Sequence, residues 1–313
     1  MLRVVKAGMQ TTLQGRPRMS WRHMGVPASG PADPLSMALA NRLVGNALYE
    51  TSLEISYGGF EARVEEACVI AITGASGEVK VSDQPVDLHR TLHLKEGDSI
   101  SIEPPAFGVR TYLAVSSGFQ ADEKFGSSST YLPAGFGGFE GRALKAGDHL
   151  HPKEPSRSLP ECKTPDHLKP VFSSSFALRA CTSAEFGSLS SASQKTLFHE
   201  TFIAGRQATR MGITLTGHIL NAENDGLMKS APVFPGTLQC PPSGAPIALL
   251  ADAQTTGGYP RIASIARCDR YLMGQIRPGN RIRLLPRSPD TAQRELLEKR
   301  ALFSEWFQGR SVF

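Results

Sequence analysis

The stretch DAQTTGGYP, from Asp252 to Pro260, places a carboxylate, an amide, two hydroxyl groups and a tyrosine directly after the apolar run APIALL. A strand that brings such a cluster to its own end either builds a tight turn or presents a site. We predict that a barrel strand ends in a turn here, with Gly257 and Gly258 allowing the backbone to approach a ligand. The side chains predicted to line the mouth of this site are those of Asp252, Gln254, Thr255, Thr256 and Tyr259, with Gln239 of PGTLQCPP opposite them.

A second polar cluster lies near the N-terminus, in the segment VPASGPAD. It places Ser29, Gly30 and Asp33 directly before the helix pattern DPLSMALANRLVG. The free N–H groups at a helix N-terminus favour an anion, so Ser29 and Asp33 are candidates for ligand binding. Asp33 also has the position of an ordinary N-cap, and both interpretations stay open.

The elements that must position these clusters are mainly short strands, such as ACVIAIT, VRTYLAVSSG, SFALRACTS and IALLADA. They are bounded by turn residues and rich in strand-forming residues. Three of the turns share one pattern, LKEGD from Leu94, LKAGD from Leu144 and IRPGN from Ile276. In such turns glycine supplies a positive φ, and Asp or Asn binds back to the backbone.

The pattern predicts a mainly β fold with two β-barrel-like domains, residues 1–152 and 171–313. The proline-rich segment 153–170 between them is predicted to be a linker, because its prolines cannot pair in a central strand. Helices are few. One is predicted after Asp33 and Pro34, plugging a barrel, and one is predicted near the C-terminus, beginning at Ser288-Pro289 and docking on the outside.

Composition and missing motifs exclude several classes of protein. The net charge of +5 comes from scattered basic residues, which predicts no nucleic-acid partner. No apolar run is long enough for a membrane span and no signal peptide is evident, so we expect a cytoplasmic protein with no membrane partner. The chain lacks the Walker loop, the H-E-x-x-H helix and the G-x-S-x-G elbow, and no metal site is predicted. The segment LMKS, residues 227–230, lacks the small and apolar flanking residues of a biotin attachment site.

Both polar clusters resemble the allophanate hydrolase subunit 2 family, also called biotin-dependent carboxyltransferase-like proteins, which includes the C component of 5-oxoprolinase and the regulator KipA. The likeness covers most of the chain. Its motifs occur in the family's order: GMQTTLQ, GVPASGPAD, ANRLVGN, YLAVSSGF, GSSSTY, RMG, PGTLQCPPSGAPIALLADAQTTGGYPRIA and QIRPGN.

The resemblance implies a pair of cyclophilin-like β-barrels and association with relatives of two further 5-oxoprolinase components, A and the KipI-like B. The implied activity is ATP-dependent hydrolysis of 5-oxoproline to glutamate, with ATP and Mg shared with the partner subunits. In that reaction Asp252 is a candidate for proton transfer, and Gln239 and Gln254 are candidates for orienting the amide. One alternative is the carboxyltransferase component of a urea or amide carboxylase, with biotin attached to another chain. The other is a KipA-like regulator that binds a KipI-like partner without catalysis.

This chain departs from the family's pattern at three positions. The family usually reads QDxGR where this chain has Gly15, although Arg18 remains as a candidate ligand-binding residue. It usually has Arg at the positions of Ser128 and Thr214. Since Arg is the natural bidentate partner of a carboxylate or phosphate, these departures leave the ligand open.

Overall fold

The computed structural model describes residues 1–155, 157–222 and 228–313. Residue 156 of the predicted linker and residue 227 of the LMKS segment lie outside the described residues. The chain forms two compact units. The first contains residues 1–18, 29–172 and 304–312, and the second contains residues 19–28, 173–303 and 313.

Two antiparallel sheets form the first unit. The six-stranded sheet has the order β11-β1-β4-β9-β6-β7 and consists of β1 (Leu2–Ala7), β4 (Phe60–Val64), β6 (Val79–Val81), β7 (Gln84–Pro85), β9 (Ser99–Ile102) and β11 (His149–Leu150). The five-stranded sheet has the order β2-β3-β10-β5-β8 and consists of β2 (Gln10–Gln14), β3 (Ser52–Ser56), β5 (Cys68–Gly74), β8 (Thr91–Leu94) and β10 (Arg110–Val115).

Side chains along β5 and β10 point alternately to the two faces of the five-stranded sheet, and both faces are covered. Ile70 and Leu113 belong to the main core cluster of the two sheets. Their neighbours Ala71 and Tyr112 point to the other face and pack against helix α1 (Pro34–Leu43). The helix therefore covers the outer face of the five-stranded sheet, and the prediction that it plugs a barrel is wrong. The continuous apolar run ACVIAIT needed a partner on both faces, and the helix is the second one.

A closed barrel forms the second unit, with the strand order β12-β19-β16-β17-β14-β13-β20. Its strands are β12 (Ser175–Thr182), β13 (Thr201–Ala208), β14 (Gly212–Thr216), β16 (Thr237–Gln239), β17 (Ile247–Leu249), β19 (Arg261–Ile265) and β20 (Arg281–Pro286). A two-stranded ribbon joins β15 (Ala231–Pro232) and β18 (Thr256–Gly257). The helices are α2 (Ser191–His199), α3 (Arg270–Met273) and α4 (Pro289–Ser304). The prediction of a mainly β fold with few helices and a C-terminal helix is confirmed.

The three Gly-Asp or Gly-Asn turns have one geometry. The Lys95 N–H donates to Asp98 over 2.8 Å, the Lys145 N–H donates to Asp148 over 2.8 Å, and the Arg277 N–H donates to Asn280 over 2.9 Å. The glycine before each acceptor has a φ between 86° and 93°. A side-chain bond across three residues and a glycine with positive φ are therefore common to all three turns.

No helix in the described ranges is long and apolar enough to cross a membrane.

Candidate functional site

The stretch that follows β17 is more extended than its sequence suggests. Thr256 and Gly257 form the short strand β18, which pairs Gly257 with Ala231 and Thr256 with Pro232. Gly257 and Gly258 are both described, and neither has a positive φ. The reason for glycine at 257 is space, because a Cβ there would lie 2.6 Å from Gln239 Nε2. Gly257 thus permits close approach, but to a neighbouring amide side chain.

Two carboxamides and a backbone carbonyl form a directed chain beside Gly257. Gln239 Nε2 donates to the carbonyl oxygen of Tyr259 over 3.2 Å. Gln254 Nε2 donates in turn to Gln239 Oε1, also over 3.2 Å. Because a backbone carbonyl can only accept, the orientation of both amides is fixed. Gln254 Oε1 is then the acceptor at the open end of the chain.

These amides line an open cavity of about 430 Å³. Strands β13, β14, β16 and β17 and the segment after β17 contribute its walls. Its polar lining includes the side chains of Arg206, Gln207, Thr209, Thr214, Gln239, Gln254 and Tyr259. Gln239, the middle member of this chain, is buried, whereas Gln254 is half-buried and Tyr259 is exposed.

Arg206 gives this cavity a positive charge that sequence reasoning missed. Its side chain is exposed at the cavity, and within the described ranges its guanidinium has no hydrogen-bond or ion-pair partner. Arg206 lies on β13, and Thr214 lies on the paired strand β14. Thr214, one of the three departures from the expected family pattern, therefore shares this cavity with an arginine from the adjacent strand. Arg206 belongs to no motif, so nothing in the sequence marks it as a residue of the site.

Asp252 lies beside the cavity in a buried ion pair. Arg210 Nε donates to Asp252 Oδ2 over 2.8 Å, and Arg210 Nη2 donates to Oδ1 over 3.1 Å. The Asp252 N–H also donates to the Arg210 carbonyl over 2.9 Å. Both carboxylate oxygens are thus engaged, and only 3% of the Asp252 side chain is exposed. This geometry suits a residue that fixes the strand ends, and a role for Asp252 in proton transfer stays a prediction.

The remaining predicted residues of this stretch have mostly backbone roles in the structure. The Thr255 carbonyl accepts from the Val233 N–H over 3.0 Å, and the Gly258 carbonyl accepts from the Met228 N–H over 2.9 Å. The Thr256 side chain is exposed. Of the residues predicted for the mouth of the site, the structure brings Gln239, Gln254 and Tyr259 together around the cavity.

The N-terminal candidates Arg18, Ser29 and Asp33 are buried in the first unit. Arg18 donates to the carbonyls of Lys124 and Ser129, and its guanidinium lies 4.7 Å from the Phe136 ring centroid. These contacts anchor a loop. The Ser29 backbone has a positive φ of 53°, and its buried hydroxyl has no partner in the described part of the chain.

Asp33 caps helix α1. Its Oδ1 accepts from the Ser36 N–H over 3.0 Å, and its Oδ2 accepts from the Ser36 hydroxyl over 2.6 Å. Of the two interpretations that the sequence left open, the geometry supports the N-cap. The candidate role in ligand binding stays a prediction.

A buried network around Glu54 was not found from the sequence. Glu54 accepts from Arg110 Nε over 3.1 Å, from the Tyr112 hydroxyl over 2.7 Å and from the Ala32 N–H over 2.9 Å. Burial raises the pKa of Tyr112 well above its ordinary value, and the carboxylates of Glu54 and Asp33 raise it further. Tyr112 therefore stays protonated and donates. A charged residue inside the apolar strand SLEI was the available signal.

Two of the three departures from the family's pattern contact each other. A Cβ at position 15 would overlap Ser128 Oγ, which itself lies 2.7 Å from Thr51 Oγ1. Glycine at 15 and a small hydroxyl at 128 are thus mutually compatible. The two changes form one local alteration of the first unit.

The contact of Gly257 with Gln239 predicts the effect of a side chain at 257. We expect Gly257→Val to destabilise the protein by about 1–3 kcal/mol, because the new side chain at this half-buried position would overpack against the buried Gln239 side chain. Gln239 can only move by losing its bond to Tyr259. Thermal melting is the measurement. The matched control is Gly187→Val, where a Cβ meets no atom within 4 Å. Equal melting temperatures for the two variants would contradict this account of Gly257.

Comparison with known proteins places these features in a family. Residues 24–286 match the family described as carboxyltransferase domain, subdomain A and B. The chain is 35% identical to the C component of 5-oxoprolinase from Escherichia coli, over 97% of each chain. It is 29% identical to urea amidolyase of Lachancea kluyveri, over 93% of this chain and 17% of that relative. The crystal structure of K. lactis urea amidolyase superposes with a TM-score of 0.90 at 25% identity, over 97% of this chain and 20% of that one. The chain thus spans nearly the full length of the first relative and about a fifth of the urea amidolyases.

Proposed function

This chain belongs to the family of carboxyltransferase domains, subdomain A and B, and from that membership we propose that it is the C component of an ATP-dependent 5-oxoprolinase. It would act with relatives of the A and B components to hydrolyse 5-oxoproline to glutamate. The supporting observation is the cavity of the second unit, which combines an oriented pair of amides with a guanidinium that has no partner among the described residues.

The substrate is a five-membered lactam that carries a carboxylate, and each of its groups has a counterpart in this cavity. The ring N–H needs an acceptor, which Gln254 Oε1 supplies. The substrate carboxylate needs a cation, and the Arg206 guanidinium can bind it in a bidentate manner. A cavity of about 430 Å³ admits a ligand of this size. We propose that Gln254 and Arg206 together orient the lactam.

Opening a lactam requires activation, because amide resonance resists attack by water. ATP would supply it by phosphorylating the amide oxygen, which makes the ring carbon electrophilic. Since the chain has no Walker loop, we propose that ATP and Mg are bound together with the partner subunits. The residues of this chain would hold the lactam in place for that chemistry, and Gln239 would keep Gln254 in its orientation.

The carboxyltransferase function is the second candidate. The TM-score of 0.90 with urea amidolyase favours it, and urea presents the same N–H and C=O groups as a lactam. In that case the acceptor nitrogen would lie at Gln254 and the biotin would arrive on another chain. Arg206 separates the two proposals, because urea has no carboxylate for it to bind.

Reconstitution tests the proposed function. We expect glutamate release from 5-oxoproline and ATP when this chain is mixed with relatives of the A and B components from the same source. Omission of the chain should reduce the rate to background. Full activity without this chain would contradict the proposal. Activity only with urea or another carboxyl acceptor, together with a biotin carrier, would favour the carboxyltransferase.

A further inference from the structure

The first unit has its own open cavity of about 610 Å³, which the proposed function does not use. It lies beside the SSS run, at Ser127 and Ser128, and beside the segment that follows β2. Charged and hydroxyl groups dominate its lining. The groups that have no partner among the described residues are the ones available to a ligand.

Two guanidinium groups at this cavity are unpaired. Arg16 and Arg310 both line it with exposed side chains, and neither guanidinium has a hydrogen-bond or ion-pair partner within residues 1–155, 157–222 and 228–313. The third cation, Lys153, is neutralised by Glu50 through a bond of 2.6 Å. Glu123 adds one unpaired carboxylate, again among the residues described. The unpaired groups therefore leave a net positive charge.

A buried hydroxyl pair at the wall of the cavity adds a free donor. Thr51 Oγ1 and Ser128 Oγ are 2.7 Å apart, and the residues are 2% and 7% exposed. In such a pair one hydroxyl donates to the other, and the accepting hydroxyl keeps its own proton. That proton has no acceptor in the described part of the chain. Both residues line the cavity, and a buried hydroxyl at a cavity wall is satisfied by an oxygen that accepts, from a ligand or from water.

We propose that this cavity binds a small dianion, a phosphate or a dicarboxylate, through Arg16, Arg310 and the Thr51–Ser128 hydroxyl pair. Both kinds of ligand present several acceptor oxygens and the charge that two guanidiniums match. Glycine at position 15 supports the site by leaving room for Ser128 Oγ, which a Cβ would displace. The proposal does not depend on the 5-oxoprolinase function.

Calorimetric titration of the 313-residue chain tests this site, with inorganic phosphate and succinate as separate probes at constant ionic strength. We expect saturable binding of at least one probe. Arg16→Gln and Arg310→Gln should each raise its dissociation constant about tenfold or more, because each removes a charge-assisted contact. The control is Arg63→Gln, which removes an exposed arginine on β4 away from the cavity. Melting curves of all variants check that the fold is kept.

The two probes identify the kind of ligand. Binding of phosphate alone assigns the site to a phosphate-bearing ligand, and binding of succinate alone assigns it to a dicarboxylate. If both probes give only heats of dilution, neither binds, and the proposal is overturned. Binding that both cavity variants retain at wild-type affinity would overturn it as well, since the anion would then be held elsewhere.

Discussion

Asp252→Asn is expected to lower the melting temperature of this protein by about 6 °C or more. Asparagine keeps one acceptor for Arg210 but removes the carboxylate charge that forms a bidentate pair with this buried guanidinium. Breaking a buried ion pair by removing one partner destabilises a protein by about 3–5 kcal/mol. In a domain of 150–250 residues each kcal/mol shifts the melting temperature by about 2–4 °C. Thermal melting followed by circular dichroism measures the effect.

Two further variants test whether the effect comes from the buried ion pair of Asp252 with Arg210. Asp87→Asn removes an exposed carboxylate that has no ion-pair partner among the residues described, and it should melt like the parent. Joint replacement of Arg210 by Met and Asp252 by Leu removes both charges, and it should recover much of the loss. An Asp252→Asn protein that melts within about 1 °C of the parent would show that the ion pair contributes little to stability. That result would contradict the expected loss of about 3–5 kcal/mol.

The sequence predicts a role for this carboxylate in proton transfer but not its buried ion pair with Arg210. Arg210 and Asp252 are 42 residues apart, and only the pairing of β14 with β17 brings their segments together. No local pattern contains that information. By contrast, the Gly-Asp turns and the cap at Asp33 follow from sequence because the side-chain bond that defines each of them joins residues three positions apart.

The residues of the candidate site likewise fall into those that the sequence predicts and those that it does not. Gln239, Gln254 and Tyr259 could be predicted because their segments form a long, specific string, and the structure places them around one cavity. Arg206 could not, because an exposed arginine on a strand is ordinary in any protein. The sequence predicts that glycine at 257 lets the backbone approach a ligand, and that stays a prediction. The structure adds a contact that the sequence does not predict, because a Cβ at 257 would lie 2.6 Å from Gln239 Nε2.

Arg206→Gln is expected to lower kcat/KM for 5-oxoproline about 10- to 100-fold in the reconstituted complex. A hydrogen bond to a charged group contributes about 1.5–3 kcal/mol, and each 1.4 kcal/mol corresponds to a factor of about ten. Most of the change should appear in KM, because the substrate carboxylate does not react. The control is Arg281→Gln, an exposed arginine on β20 that does not line the cavity. A loss of equal size in the control would show that the effect is general.

The measurement that most directly tests the cavity as the lactam site compares 5-oxoproline with 2-pyrrolidinone, which has the same ring without the carboxylate. Hydrolysis of both is followed in the reconstituted complex, with the parent chain and with Arg206→Gln. If Arg206 binds the substrate carboxylate, the variant should lose activity toward 5-oxoproline and keep the parent's low activity toward 2-pyrrolidinone. The preference for 5-oxoproline should then shrink about 10- to 100-fold. An unchanged preference would contradict the account and place the substrate carboxylate at another site.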